Sequence, residues 1–279
     1  MNRARISLAL VWLLAVHHVA AQGGLTCFFT TDFATYSAEE QVIDIVFTIE
    51  APSSVGQAPL SLTTVLDRSG SMQGNKIELL KKTTQFLVGK LSEAGGQQSL
   101  GIVTYSDGVQ ELSGVLPVSS SNSPLLNNLI ATVQAGGQTN LAGGLVRGVE
   151  QQKAAPGGKI KSVYLFTDGL PTVGPASTQE ILSQVNAARS GGDQITISTF
   201  GFGSDLDVGL LKGISDAAGG ETYIITNEED IPKAFGDALG GLLSTAAQDI
   251  TVTLKGEGGA SIESIQTGGT VSEADGGVR

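Results

Sequence analysis

Short β-branched and apolar runs at residues 62–66, 100–105, 163–166, 195–200 and 222–225 alternate with longer stretches whose apolar residues return every three or four positions. Several of the runs are apolar on successive residues, the pattern of strands covered by helices on both faces. The helical spacing is clearest in Ile77, Leu80, Thr84, Leu87, Val88 and Leu91. It returns in Ile181, Leu182, Val185 and Ala188, in Leu206, Leu210, Ile214 and Ala217, and in Ile231, Phe235, Leu239, Leu242 and Ala246. Three of these helices stop at glycine pairs, Gly95-Gly96, Gly191-Gly192 and Gly219-Gly220, where glycine takes the left-handed cap at little steric cost. The repeated unit of helix, glycine stop and strand predicts an α/β domain over residues 60–246. Its central sheet should be doubly wound, mostly parallel and flanked by helices.

The flanks read differently. Residues 41–50 alternate Val42, Asp44, Val46, Thr48 and Glu50 with Ile43, Ile45, Phe47 and Ile49, a half-buried strand. Residues 51–59 are a Pro/Ser/Gly linker, residues 250–254 alternate again, and glycines at 256–259 and 268–269 mark turns. Segments 22–59 and 247–279 are therefore expected to form a small antiparallel β unit, with 247–279 opening a region that continues past Arg279.

Arg3 and Arg5, an apolar run at 6–16, and Val19-Ala20-Ala21 give residues 1–21 the form of a secretory signal peptide cleaved after Ala21. This predicts a secreted or cell-surface protein. Both histidines, His17 and His18, lie inside that leader. The mature chain then lacks any imidazole, which excludes Ser-His-Asp and Cys-His nucleophilic sites and histidine-built zinc sites. The formal charge of −11 becomes −13 once Arg3 and Arg5 are gone, a balance that disfavours nucleic acid and anionic membrane and suits cations. No later segment is long and apolar enough for direct membrane insertion. The lone Cys27 closes no internal disulfide and reads either as a small buried hydrophobe or as a pairing partner for sequence beyond this chain. The 38 glycines follow no triplet period and punctuate turns.

In a doubly wound sheet, ligands bind beyond the carboxyl ends of the strands where the strand order reverses. Three such places are rich in hard oxygen: Asp67-Arg68-Ser69-Gly70-Ser71-Met72 after the first core strand, Asp168-Gly169 after the third, and Gly136-Gly137-Gln138-Thr139-Asn140 in a long connection. Oxygen donors from Ser, Thr and Asp suit a hard divalent cation. Asp-x-Ser-Gly-Ser alone is ordinary strand-to-helix turn chemistry; the company of Thr139 and Asp168 carries the metal reading. Gly201-Phe202-Gly203 lacks the third glycine of a dinucleotide fingerprint and reads as a structural turn. Glu228, Glu229 and Asp230 before Ile231-Pro232 read as a helix start rather than a second cation site.

Together, Asp67-Arg68-Ser69-Gly70-Ser71, Thr139 and Asp168 in Thr-Asp-Gly resemble the metal-ion-dependent adhesion site (MIDAS) of a von Willebrand factor type A domain, over about residues 60–246. The resemblance implies that Ser69, Ser71 and Thr139 bind metal directly when a ligand is present, with Asp67 and Asp168 acting largely through water. It implies Mg²⁺ or Mn²⁺ in preference to Ca²⁺, and an extracellular protein or matrix partner whose acidic side chain completes the metal. It implies an adhesion or ligand-binding module with no catalytic or organic-cofactor residues, not an enzyme. With that resemblance, the flanking strands suggest the branch of large von Willebrand A proteins that includes inter-alpha-trypsin-inhibitor-like and bacterial or plant relatives. Two other readings use the same residues: a metal-assisted phosphoryl or ester hydrolase, and a structural matrix domain with a vestigial metal site.

Overall fold

A computed structural model describes residues 2–8, 26–31, 41–50, 59–95, 97–157, 159–191, 194–204, 206–243, 252, 254, 261–267, 273–274 and 277–278. The linker at 51–58, most of the leader, the glycine turns at 256–259 and 268–269, and Ala246 lie outside the described residues. The chain divides into two compact units, one made of Met1–Gly56 with Ala246–Arg279 and the other of Gln57–Thr245.

In the first unit, β1 (Asn2–Leu8), β2 (Thr26–Thr31), β3 (Gln41–Glu50) and β10 (Ser261–Ile265) form a sheet in the order β10-β1-β3-β2. Its pairings are antiparallel, with Cys27 opposite Ile49 in the β2–β3 ladder. A separate pair joins β11 (Glu273–Ala274) to β12 (Gly277–Val278). Strand β1 falls in the segment read as a signal peptide, so processing after Ala21 would take it out of this sheet.

The second unit runs β4 (Leu60–Asp67), α1 (Asn75–Glu93), β5 (Ser99–Tyr105), β6 (Val109–Pro117), α2 (Ser123–Ala131), α3 (Leu141–Ala154), β7 (Ile160–Thr167), α4 (Thr178–Arg189), β8 (Ile195–Phe202), α5 (Val208–Ala217), β9 (Thr222–Ile225) and α6 (Asp230–Leu243). The sheet order is β6-β5-β4-β7-β8-β9, parallel throughout except for β6. This is the doubly wound α/β fold expected. The chain winds outward from β4 to β6 and then crosses back to β7 on the other side of β4. The strand order therefore reverses between β4 and β7, which is where the carboxyl ends leave room for a ligand.

Successive side chains of the core strands point to opposite faces, and both faces are covered. On one face Leu62, Leu66, Leu100, Ile102, Tyr164, Phe166, Phe200 and Phe202 pack with buried residues of α1, α2 and α6. On the other, Val65, Val103, Tyr105, Val163, Leu165 and Ile197 pack with α3, α4 and α5. The predicted glycine stops hold at Gly95, Gly191 and Gly219, each with positive φ just past its helix.

Three elements carry no strong sequence signal. Strand β6 is an edge strand of mixed burial, so its pattern is not doubly apolar. Helix α2 is short and begins at a serine followed by Pro124. Helix α3 contains Gly143 and Gly144, which weaken helix propensity; at Gly144 a Cβ would stand 2.6 Å from the Tyr105 ring, so close packing on β5 selects glycine against local preference. Gly201 and Phe202 belong to β8 itself, Leu206 precedes α5, and Asp230 accepts from the backbone N–H groups of Thr226 and Asn227, a local turn role.

Candidate metal centre

Asp67 is the last residue of β4, with the parity of Thr63 and Val65, and is fully buried. One carboxylate oxygen accepts the Ser69 N–H at 2.8 Å, which shapes the turn leaving the strand. The other accepts the Thr167 hydroxyl at 2.7 Å and the Tyr105 hydroxyl at 3.2 Å. Three donors from three adjacent strands and their turns thus fix one acid at the centre of the sheet edge. Burial pushes the Asp67 carboxyl above the ordinary aspartate range, its hydrogen bonds pull it back, and the Asp168 charge adds to the rise. Burial, and then the Asp67 charge, push the Tyr105 phenol well above its ordinary value, so Tyr105 remains a proton donor to Asp67.

Ser69 and Ser71 follow in a 3₁₀ turn that leads into α1. Their hydroxyls lie 3.0 Å apart, and Ser71 donates to Asp168 Oδ1 at 2.9 Å. Because a serine hydroxyl carries a single proton, Ser71 must accept from Ser69 in this arrangement. Ser69 is buried and Ser71 exposed, so the chain of oxygens reaches solvent at Ser71 and returns to a buried acid. Asp168, just past β7, has its side chain only 3% exposed.

One loop is stitched to this turn, and a second is stitched to that loop at Thr139. Gly70 N–H donates to Gly137 O at 2.9 Å and Gly136 N–H to Arg68 O at 2.7 Å, which brings residues 136–140 beside the serines. Gly137 takes φ 84°, and a Cβ there would meet the Asp107 carboxylate at 2.1 Å, so glycine at 137 serves packing as well as the bend. Thr139 is buried; its N–H is held by the Thr172 hydroxyl at 2.8 Å, and its carbonyl accepts the Thr172 and Val173 N–H groups. The next residue, Asn140, caps α3 by accepting the Gly143 N–H. Asp67, Ser69, Ser71 and Asp168 are therefore joined in one hydrogen-bonded oxygen cluster. The Thr139 hydroxyl makes no hydrogen bond to them among the described residues; its loop, not its side chain, ties it to the cluster.

One member of the site was not foreseen. Lys76 donates to Asp168 Oδ2 at 2.7 Å, an ion pair across 92 positions of sequence. A signal for it exists: Lys76 stands in the first turn of α1, where the helix dipole disfavours a cation, so its placement calls for an anionic partner. Tyr105 and Thr172 lie outside the motif, because each acts through a strand or loop neighbour; Thr167 lies inside Thr-Asp-Gly, but its bond to Asp67 is set by the register of the strands.

The donor set suits a hard cation. Among the described residues no group of three or more His, Cys, Asp or Glu side chains is arranged to hold a metal. A metal here would rest on two carboxylates and several hydroxyls, and the Lys76 ammonium already serves as a positive stand-in on Asp168.

Comparisons with known proteins agree with this architecture. The inter-alpha-trypsin inhibitor heavy chain H1 of Mesocricetus auratus is 31% identical over 187 residues, covering 64% of this chain and 20% of that protein. The chain spans about a fifth of the length of the curated relatives it matches. A von Willebrand factor type A structure from Catenulispora acidiphila superposes with a TM-score of 0.58 at 20% identity, covering 81% of this chain and 51% of that one. Proximal thread matrix protein 1 from the mussel byssus, with zinc occupying its MIDAS motif, gives 0.52 at 18% identity, covering 66% and 48%. The family model for the von Willebrand factor type A domain matches residues 61–237, nearly the whole α/β unit that carries these oxygens, and the chain belongs to that family.

Proposed function

We propose that the protein is an extracellular adhesion or ligand-binding module. It holds Mg²⁺ or Mn²⁺ through Asp67, Ser69, Ser71, Thr139 and Asp168, and captures an acidic group of a protein or matrix partner there. In this reading residues 1–21 are a signal peptide, 22–59 and 247–279 are flanking β segments, and 60–246 is the binding domain. The observation that carries it is the oxygen cluster at the reversal of strand order, with four of its five members hydrogen-bonded in series and a cationic group already seated on Asp168.

Each residue has a task that its surroundings support. Asp67 has both oxygens engaged by protein donors, which suits a role through water and an orienting role for the Ser69 turn. Ser69 and Ser71 present neutral oxygens, so little of the cation's charge would be neutralised by the serines. A cation held there supplies an open coordination position for a partner's carboxylate. The reading is of binding without catalysis: Asp67 is committed to three donors and Asp168 to Ser71 and Lys76, so neither stands as a free general base. Capture of an immobilised library of Asp- and Glu-containing peptides in Mg²⁺, but not in EDTA, is the expected result; equal capture in both would end this reading.

Thr139→Ala should weaken Mg²⁺ binding, read by titration calorimetry, about tenfold, the effect of losing roughly 1.4 kcal/mol of ligation. The metal-free protein should lose no more than about 1 kcal/mol, since only a methyl and a hydroxyl leave and the backbone contacts to Thr172 remain. A large loss of stability with unchanged metal affinity would assign Thr139 to the fold alone.

Mg²⁺ and Mn²⁺ should bind more tightly than Ca²⁺ in the same titration. A compact set of hydroxyls and carboxylates suits short, near-octahedral bonds, whereas Ca²⁺ seeks six to eight longer ones. Tighter Ca²⁺ binding would reverse the assignment.

A further inference from the structure

We propose that Lys76 is a tethered competitor of the divalent cation, an affinity-determining residue whose ammonium must leave Asp168 before metal can be held. The inference rests on the metal-binding reading above and extends it to a residue outside the motif. Both oxygens of Asp168 are committed in this structure, Oδ1 to the Ser71 hydroxyl at 2.9 Å and Oδ2 to Lys76 Nζ at 2.7 Å. The acid is 3% exposed and the lysine 31%, so this pair is far less screened than the helix-surface pairs Lys90–Glu93 and Lys212–Asp216.

Two independent features show that the lysine is seated rather than passing by. It lies in the first turn of α1, where the helix dipole opposes a positive charge, so the carboxylate offsets an otherwise unfavourable placement. Its stem also runs against the backbone at Gly203, just beyond β8. A Cβ at that residue would stand 3.0 Å from Lys76 Cε and 3.7 Å from Nζ, and φ there is 98°, so glycine leaves the slot in which the chain end rests. Two cations beside one enclosed carboxylate repel each other, whether the metal meets it directly or through a water, and where solvent screening is weak the seating of one lowers the affinity for the other. The apparent metal affinity is then the intrinsic affinity reduced by the fraction of molecules in which Lys76 has withdrawn.

The test is Mg²⁺ titration calorimetry on the whole chain, comparing wild type, Lys76→Met and Lys76→Arg, with melting curves in EDTA. Lys76→Met keeps the length and apolar body of the stem without the charge; it should tighten Mg²⁺ binding about tenfold, as expected for removing a charge-assisted hydrogen bond that competes directly. It should also lower the melting temperature in EDTA, since Asp168 loses its counter-ion. Lys76→Arg keeps the charge and should bind no more tightly than wild type. Metal binding by Lys76→Met alone would support the proposal in its strongest form. Wild type and Lys76→Met binding with the same affinity would overturn it while leaving the metal site intact; absence of binding in both would overturn it together with the metal reading.

Discussion

Replacing Phe200 with alanine should lower the unfolding free energy by about 3–5 kcal/mol, the range for deleting a large aromatic side chain from a packed core. Phe200 is fully buried on β8 and stands at the centre of an aromatic stack. Its ring centroid lies 4.8 Å from Phe166, 4.9 Å from Tyr164, 4.9 Å from Phe235 and 5.0 Å from Tyr223. Phe166, Tyr164 and Tyr223 come from the neighbouring strands β7 and β9, and Phe235 comes from α6. The deletion would therefore loosen the seat of that helix as well as empty the ring's own volume. Such rings contribute about 0.5–1.5 kcal/mol per favourable pair beyond their buried area, which places the expected loss toward the upper end. Chemical denaturation should show a lower midpoint with an unchanged slope. Because Phe200 faces the opposite side of the sheet from Asp67, Mg²⁺ affinity measured on the folded protein should not change. A loss below about 1 kcal/mol would mean that the stack is loosely packed, contrary to its full burial.

The β-strands and helices that build this core were legible because their signals repeat. Val163, Leu165 and Phe166 are apolar in succession, as a strand covered on both faces must be, and Ile77, Leu80, Thr84, Leu87 and Leu91 keep one face of α1 on the sheet. The site was legible through turn chemistry: residues placed directly after β4 and β7 fall at the same sheet edge whatever the details between them. Legibility failed where a tertiary contact overrides local preference. Helix α3 holds Gly144 because the Tyr105 ring comes close, and no periodicity records that demand. Strand β6 pairs antiparallel at the edge, with Ser113 its one buried residue, so its apolar pattern is weak. In the sequence Lys76 is one more lysine on a polar helix face. Only its position in the first turn, against the dipole, marks it, and only the fold supplies Asp168. For the donors to Asp67 the sequence places Tyr105 and Thr167 at strand ends near the crevice, but only the register of β4 with β5 and the placement of β7 bring them to one carboxylate.

Asp67→Asn and Asp67→Ala should both abolish stabilisation by Mg²⁺, yet differ sharply in its absence, and the contrast separates a metal role from a purely structural one. In wild type, a ligand that binds only the native state adds RT ln(1 + [L]/Kd), about 2.7 kcal/mol at a hundredfold excess over Kd. At about 2–4 °C per kcal/mol for a domain of this size, that is a readily measured rise in melting temperature. Alanine leaves the Ser69 N–H and the Tyr105 and Thr167 hydroxyls without their shared acceptor in a buried place. Orphaned buried donors cost about 1–3 kcal/mol each before relaxation, so a total loss of about 2–4 kcal/mol is expected in EDTA. Asparagine retains an acceptor for the Ser69 N–H, and the Tyr105 and Thr167 hydroxyls can rotate to accept from its amide. It also removes a buried charge whose carboxyl is pushed upward by desolvation and by Asp168. Asp67→Asn should therefore melt in EDTA well above Asp67→Ala while gaining nothing from millimolar Mg²⁺. The same rise with Mg²⁺ in wild type and Asp67→Asn would place any bound cation elsewhere and leave Asp67 as the buried organiser of a turn.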